Sequence, residues 1–295
     1  MKKAIFSTIF ECFRLAIFSL VLAVNTSAFA QKQAAKGAER LVLAINEGGS
    51  GSAPATDIIF RYEEFKQVVG KALGAPVILA PVRDLKSLRD SLKTRSYSLV
   101  LLRPADIAAE AVRNYGYQPI VVSKEPAHTL FIVKKDSPLR TIADVKGKSI
   151  VTPERYGYQW RVASAMMRDS NIFIAKEQVR IILDQAAIGW SMEGGFYDVG
   201  VVSTFSGAGR TWEKNGGRVI ARSRELPNTP FIASQKISAA QIQKLRAALV
   251  TIESTESGLA ILKKIGVVGG FKEAPSSQAF IDFINWLGDI EAPKD

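Results

Sequence analysis

The sequence predicts an α/β protein folded into two lobes, and three observations support this. Short apolar segments alternate with amphipathic helical segments from residue 41 to residue 122, which favours a parallel sheet with crossover helices. The pattern changes near residue 130, where a second group of strands and helices begins, and helices dominate after Pro227. The chain has 295 residues, 47% of them hydrophobic, which is enough to bury a core in each of two domains.

Residues 1–30 have the features of a secretory signal peptide. Lys2 and Lys3 give a positive start, Leu15–Val24 is a mostly apolar run, and a small-x-small pattern places cleavage after Ala30. The run is shorter than the roughly 20 apolar residues of a transmembrane helix. Cleavage would lower the formal charge from +11 to +9 and remove the only cysteine. We therefore expect an exported, periplasmic protein.

The first half of the chain is predicted from its apolar spacing. Leu41–Asn46 is continuously apolar, as in a strand buried on both faces. Ile58, Tyr62 and Phe65 then keep helical spacing, and Gly74 ends that helix. Further strands are expected at Val77–Ala80, Leu99–Leu102 and Ile120–Val122, and helices start at Thr56 or Asp57, at Asp84 and at Ala105.

The second half is predicted in the same way. Strands are expected at Leu130–Val133, Ser149–Thr152, Val179–Leu183 and Val199–Val202. Helices are expected at about Tyr156–Asp169, Gln185–Met192, Ala239–Ile252, Ser257–Ile265 and Ser277–Leu287. The four tryptophans, Trp160, Trp190, Trp212 and Trp286, are predicted to pack in the core or between lobes.

Composition argues against several classes of function. One histidine and one cysteine do not supply the three or four ligands of a soft-metal site. There is no G-x-S-x-G pattern, and His128 has no triad context, so no hydrolase is indicated. Basic residues are divided between the lobes, which argues against nucleic-acid binding. We expect neither an enzyme nor a bound cofactor or metal.

Four segments, in order, resemble the phosphonate-type periplasmic solute-binding proteins. Arg61–Phe65 with Leu73–Val77 is similar to that family's first helix and second strand. Tyr97–Ala105 resembles its "YD(V/L)…GPA" strand and loop, Ser137–Lys148 its "S…SLADLKGK" signature, and Tyr197–Ser203 its "DAGAVS"-like strand. The segments are spread over nearly all of residues 40–290.

The resemblance implies a class II periplasmic-binding-protein fold, with two crossover strands and a central ligand cleft. It places the crossovers near Lys124–Thr129 and Arg224–Pro230. Lobe 1 would comprise residues 31–125 and 228–295, and lobe 2 residues 126–227. Ligand would lie at the carboxyl ends of the strands, and the lobes would close around it.

One segment departs from the family. Phosphonate binders of this family carry a Ser/Thr-rich loop before the first helix of lobe 2, and here that stretch, residues 152–158, reads TPERYGY. A helix N-terminus favours an anion, and Arg155 could bind an oxyanion or a carboxylate through two hydrogen bonds in a bidentate arrangement. Glu154 would oppose an anion or bind an amine. A standard aminoalkylphosphonate is therefore doubtful as the ligand, whereas ligand binding as such is still expected.

Candidate ligand contacts in lobe 1 lie on the loop after the first strand, on the first helix and at the end of the third strand. They are Asn46, Glu47, Ser50, Ser52, Tyr62 and Arg103. The loop could equally be a mobile surface segment, and Tyr62 has the spacing of a core residue. Arg103 stands where the family has glycine; it could bind an anion, or it could form a salt bridge to Asp106 or Glu110.

Candidate contacts in lobe 2 are Arg155, Tyr156, Tyr158, Ser203 and Thr204. The first three lie at a predicted helix start, where a solvated turn is the alternative. The hydroxyls of Ser203 and Thr204 could instead cap the next helix.

The expected function is capture of a small anionic ligand, of phosphonate or other oxyanion type, for an ABC permease. The alternative is a ligand-sensing periplasmic protein that signals to a membrane receptor or kinase. A monomer is expected in either case.

Overall fold

The fold contains two mixed sheets with helices packed on both faces of each. The computed structural model describes residues 40–48, 53–103, 105–153 and 157–288. The predicted signal peptide, residues 1–30, lies outside these ranges. No helix within them is long and apolar enough to cross a membrane.

The first sheet has six strands in the order β11-β4-β10-β3-β1-β2. Its strands are β1 Leu41–Asn46, β2 Val77–Pro81, β3 Leu99–Leu102, β4 Gln118–Ser123, β10 Phe231–Ala233 and β11 Phe271–Glu273. β1 pairs in parallel with β2 and β3, whereas β10 lies antiparallel between β3 and β4. The predicted parallel run is therefore interrupted, because a later strand that the sequence did not reveal inserts into it.

The second sheet has five strands in the order β7-β6-β8-β5-β9. They are β5 Thr129–Val133, β6 Ile150–Thr152, β7 Val179–Ile181, β8 Val199–Ser203 and β9 Arg218–Arg222. β6 is parallel to β7 and β8, and β5 is antiparallel to β8 and β9.

Nine α-helices lie within the described ranges. They are α1 Ala55–Leu73, α2 Leu85–Lys93, α3 Ala105–Tyr115, α4 Tyr158–Asp169, α5 Gln185–Glu193, α6 Gly207–Thr211, α7 Ala239–Val250, α8 Glu256–Lys264 and α9 Ser277–Leu287. α1, α7 and α8 cover one face of the first sheet, and α2, α3 and α9 cover the other. α4 packs on one face of the second sheet, and α5 and α6 on the other.

Two of the predicted helix signals are found in the structure, and one is not. The αL conformation of Gly74, with φ +63°, ends α1 as predicted, and the Asp84 carboxylate accepts from the Ser87 N–H to cap α2. Thr56 and Asp57 do not cap α1, because the helix already starts at Ala55.

The chain passes between the sheets twice, over residues 124–128 and residues 223–230. The two passages run side by side, since Ala127 and Leu226 form an antiparallel bridge. Residues 124–128 join β4 to β5, and residues 223–230 join β9 to β10. This topology is that of a class II periplasmic binding protein.

Candidate functional site

Asn46 ends β1, and its side chain forms hydrogen bonds with the protein backbone. Its Nδ2 donates to the Val82 carbonyl at 2.7 Å, and its Oδ1 accepts from the Gly48 N–H at 3.0 Å. Gly48 has φ +91°, a conformation that a side chain would strain. The backbone oxygen of Asn46 accepts from the Arg103 N–H at 3.1 Å. Asn46 therefore ties the ends of β1 and β3 together.

Glu47 follows directly and faces α1. Its two carboxylate oxygens accept from the Arg61 guanidinium at 2.5 Å and from the Tyr62 hydroxyl at 3.1 Å. The pKa of Tyr62 is raised well above its usual value, first by burial and then by the adjacent Glu47 charge. Tyr62 is 2% exposed, so it is a core residue whose hydroxyl alone reaches the site.

Arg103 lies beside this group and is exposed. Its Nη2 donates to the Ile265 carbonyl at 3.1 Å, and its charge partly offsets the rise in the pKa of Tyr62. A Cβ on Gly266 would lie 2.8 Å from that Nη2, so glycine leaves the room that Arg103 occupies.

The salt bridge from Arg103 to Asp106 or Glu110, which the sequence left open as the alternative to anion binding, is not formed. Asp106 pairs with Arg161, and Glu110 pairs with Arg89 at 3.0 Å. Asn46, Glu47, Tyr62 and Arg103 thus form one group at the carboxyl ends of β1 and β3. We call it the lobe-1 cluster.

Tyr158 starts α4 after Gly157. Its ring packs edge-on against Phe283, with centroids 6.3 Å apart, and its buried hydroxyl has no hydrogen-bond partner among the described residues. Burial, followed by the negative charge of Asp106, raises its pKa well above the usual value.

Four predicted contacts lie outside the described residues: Ser50, Ser52, Arg155 and Tyr156. Their roles stay predictions. Thr152, the last residue of β6, is fully buried, and its hydroxyl finds no partner within the described ranges. A buried polar atom at the end of this strand lies next to the segment where the sequence predicts ligand contacts.

The hydroxyls at the end of β8 accept hydrogen bonds from backbone N–H groups of the protein. The Ser203 hydroxyl accepts from the Phe205 N–H at 3.1 Å, and the Thr204 hydroxyl accepts from the His128 N–H at 3.1 Å. The residue that caps α6 is Ser206, which accepts from the Gly209 N–H at 2.9 Å. Ser203 and Thr204 therefore shape the end of β8 and join it to the first passage between the sheets.

The sequence reasoning missed the ion pair that bridges the two sheets. Arg161, in the first turn of α4, donates from Nη1 to the Asp106 Oδ2 at 2.8 Å, and Asp106 lies in the first turn of α3. Their side chains are 7% and 4% exposed. Because α3 follows β3 and α4 follows β6, this contact shows that the carboxyl ends of those strands face each other. Helical spacing places Arg161 with Tyr158 and Ala165 on a buried face, which was the available signal.

The tryptophans differ in exposure, and Trp160 and Trp286 are half-buried against the hydrophobic clusters. Trp212 is 4% exposed and its indole N–H donates to the Val133 carbonyl at 2.9 Å, as expected of a core residue. Trp190 is 76% exposed, so its predicted packing role is wrong. It lies on the face of α5 opposite the buried Ile188 and Met192. Among the described residues no group of three or more His, Cys, Asp or Glu side chains could hold a metal ion.

Comparison with known proteins now identifies the family. Residues 52–278 match the family model of the periplasmic substrate-binding proteins of phosphonate ABC transporters. A comparison with curated protein sequences gives no match.

Solved structures share the fold at low sequence identity. XAC2383 from Xanthomonas citri, bound to ATP, aligns with a TM-score of 0.67 and 14% identity over 86% of this chain and 99% of its own. PhnD1 from Prochlorococcus marinus, in complex with methylphosphonate, aligns with a TM-score of 0.59 and 14% identity over 84% of this chain and 96% of its own. A binding protein of a phosphonate ABC transporter from Pseudomonas aeruginosa aligns with a TM-score of 0.58 and 15% identity over 85% of each chain. Since the family model spans most of its length, the chain belongs to the periplasmic phosphonate-type substrate-binding proteins of ABC transporters.

Proposed function

We propose that this protein binds a small oxyanion, of the phosphonate or a related class, between its two sheets and delivers it to an ABC permease. The observation that carries the proposal is the position of Arg103. Its guanidinium is exposed at the carboxyl end of β3, on the edge that faces β6, and open α/β sheets bind ligands at that edge.

The chemistry of the lobe-1 cluster favours an anion. Glu47 is neutralised by Arg61, whereas Arg103 bonds a neutral carbonyl and forms no ion pair with any residue that the structure describes. A guanidinium presents five N–H donors in a fixed fork that suits phosphonate, phosphate and carboxylate oxygens. Arg155 and Tyr156, which precede α4 in the sequence, are proposed to supply the contacts from the second lobe.

The organisation of the chain fits this role. We propose lobe 1 at residues 31–125 and 228–295 and lobe 2 at residues 126–227, which agrees with the distribution of strands between the sheets. Residues 1–30 are proposed as a cleaved signal peptide that directs export to the periplasm. The protein is proposed to act as a monomer without catalytic activity.

Titration calorimetry tests the proposal. The exported protein is titrated with methylphosphonate, inorganic phosphate, phosphite, an alkylsulfonate and a dicarboxylate. We expect saturable 1:1 binding of at least one phosphorus oxyanion, and competition between those that bind. Binding of none of these compounds would overturn the proposal.

Delivery to a permease is tested separately from binding. Crosslinking in membranes that contain the native partners should recover transporter subunits with the ligand-loaded protein. Recovery of a sensor kinase or cyclase and no permease would instead support the signalling alternative.

A further inference from the structure

The ion pair of Asp106 and Arg161 joins the two lobes directly. α3 carries Asp106 and packs on the first sheet, whereas Ala163 and Met167 of α4 lie in the core of the second sheet. Both terminal nitrogens of the Arg161 guanidinium donate hydrogen bonds. Nη1 donates to Asp106, and Nη2 donates to the Gly288 carbonyl at 2.6 Å. A single side chain of lobe 2 thus holds both α3 and the end of α9.

Helix α9 extends this contact along α4. α9 packs on α3 through Phe280 and Ile284, and it touches α4 at both ends of that helix. At the start of α4, Tyr158 contacts Phe283; at its end, Asp169 accepts from the Trp286 indole N–H at 2.7 Å.

The carboxyl end of α4 lies beside the second passage between the sheets. Arg224, in the second passage, stacks on the Trp286 ring at 4.2 Å, so the end of α4 lies beside the pivot of any lobe rotation. Arg161 lies eight residues earlier, roughly 12 Å away at 1.5 Å per residue. A rotation of the lobes about the passages would break the Asp106–Arg161 contact, because the pair joins helices that pack on different sheets.

The ion pair leaves part of its hydrogen-bonding capacity unused. Asp106 Oδ1, Arg161 Nε and the Tyr158 hydroxyl are buried, and none has a hydrogen-bond partner in the part of the chain that the structure describes. Opening the lobes would hydrate all three atoms, which offsets part of what the closed contact gains. Such a balance is what a reversible contact requires.

We propose that the Asp106–Arg161 pair is a latch that holds the two lobes together in the absence of ligand. The pair occupies the space between the first turns of α3 and α4, so the protein's own carboxylate neutralises the lobe-2 arginine. The latch depends on the two-lobed fold and on no particular ligand.

Distances between spin labels test the latch in the ligand-free protein. Cys12 is the only cysteine, so Cys12→Ser with Thr56→Cys and Ala186→Cys gives two label sites. Both positions are exposed in the first turns of helices that follow β1 and β7. The parent should show one short distance population.

Asp106→Asn should add a population longer by several ångströms, because opening hydrates the unpaired Arg161. The double variant Asp106→Leu with Arg161→Met should restore the short distance, since apolar residues can replace a buried pair. Arg89, 3.8 Å from Asp106, keeps its ion pair with Glu110 in that variant. Asp90→Asn removes a carboxylate that pairs with Lys86 within α2, and it should leave the distance unchanged.

Arg161→Lys is a milder variant for the case in which Asp106→Asn does not fold. Its single ammonium cannot reach both Asp106 and the Gly288 carbonyl, so we expect partial opening. Near-UV circular dichroism establishes that each variant is folded. A distance distribution identical to the parent in every folded single variant would overturn the latch, as would a double variant that opens like the single ones.

Discussion

The Nη2 of Arg103 lies 3.1 Å from the carbonyl oxygen of Ile265, so the end of β3 is joined to the residue that follows α8, 162 positions later. The Tyr62 hydroxyl lies 3.5 Å from the same oxygen. A neutral carbonyl orients the guanidinium without cancelling its charge. Arg103 is therefore held in place, as its proposed role in binding an anion requires.

Replacement of Arg103 should weaken ligand binding with little effect on stability. Hydrogen bonds to charged groups contribute about 1.5–3 kcal/mol, so Arg103→Ala should lower affinity roughly tenfold to a hundredfold. Arg103→Lys should recover only part of this, because an ammonium lacks the planar fork. Calorimetry with methylphosphonate or phosphate measures the effect.

Arg140→Ala is the matched control, since Arg140 is an exposed arginine of the second lobe outside the lobe-1 cluster. It should leave both affinity and the unfolding midpoint unchanged. An equal loss of ligand affinity in Arg103→Ala and Arg140→Ala would show that Arg103 acts only through the net charge of the protein.

Gly266→Ala tests whether the position of Arg103 matters. Gly266 has φ +67°, and its new Cβ would lie 2.8 Å from the Arg103 guanidinium. Gly269 has φ +77° with no atom within 4 Å of a Cβ, so Gly269→Ala imposes the backbone strain alone. Both variants should lose about 1 kcal/mol of unfolding free energy, measured in urea.

Only Gly266→Ala should also weaken ligand binding, because it displaces the Arg103 side chain. Calorimetry under the same conditions separates the two variants. Unchanged affinity in Gly266→Ala would contradict the role given to Arg103.

Several parts of the fold could be predicted because their signals are local. The spacing of Ile58, Tyr62 and Phe65 gave α1, and the capping carboxylate of Asp84 gave the start of α2. β9 and β11 were missed because charged residues interrupt their apolar runs, and β10 because its three residues directly follow Pro230. The insertion of β10 between β3 and β4 is set by pairing between distant segments, which no local pattern contains.

The candidate site was predicted in part for the same reason. Asn46, Glu47 and Arg103 lie at strand ends, which the sequence locates well. The salt bridge from Arg103 to Asp106, which the sequence left open as an alternative because the two are only three residues apart, is not formed. Asp106 instead pairs with Arg161, 55 positions later, and only the passages between the sheets bring those helices together.

Gly209→Ala should destabilise the turn that carries Ser203 and Thr204. A Cβ at Gly209 would lie 2.0 Å from the Ser203 carbonyl oxygen, and it would disturb the cap formed by Ser206. Loss of a helix cap costs about 0.5–2 kcal/mol, and overpacking adds about 1–3 kcal/mol. The unfolding midpoint in urea should fall clearly.

Gly207→Ala provides the control within the same helix. A Cβ at Gly207 meets nothing within 4 Å, so this variant should be neutral or slightly more stable. Similar midpoints for the two variants would show that the turn after β8 has more room than the structure indicates.

Alkaline pH should destabilise the protein through its buried tyrosines. Burial raises the pKa of Tyr117 to about 12, and its hydroxyl donates to the Tyr97 carbonyl at 2.9 Å. In the unfolded chain a tyrosine loses its proton near pH 10, so between pH 10 and 12 the unfolded state binds fewer protons than the folded state. Stability is therefore fully present below pH 10 and is lost as the pH rises towards 12.

Urea unfolding at pH 9, 10 and 11 measures this loss, and Tyr117→Phe should make it less steep because one of the responsible hydroxyls is absent. The remaining slope in Tyr117→Phe is expected from Tyr62 and Tyr158, whose pKa values are also raised by burial. The absorbance of tyrosinate gives an independent readout, since fewer tyrosines should ionise at pH 11 in the folded protein than in urea. Parallel pH dependence in the parent and in Tyr117→Phe would mean that Tyr117 ionises in the folded state as readily as in the unfolded chain.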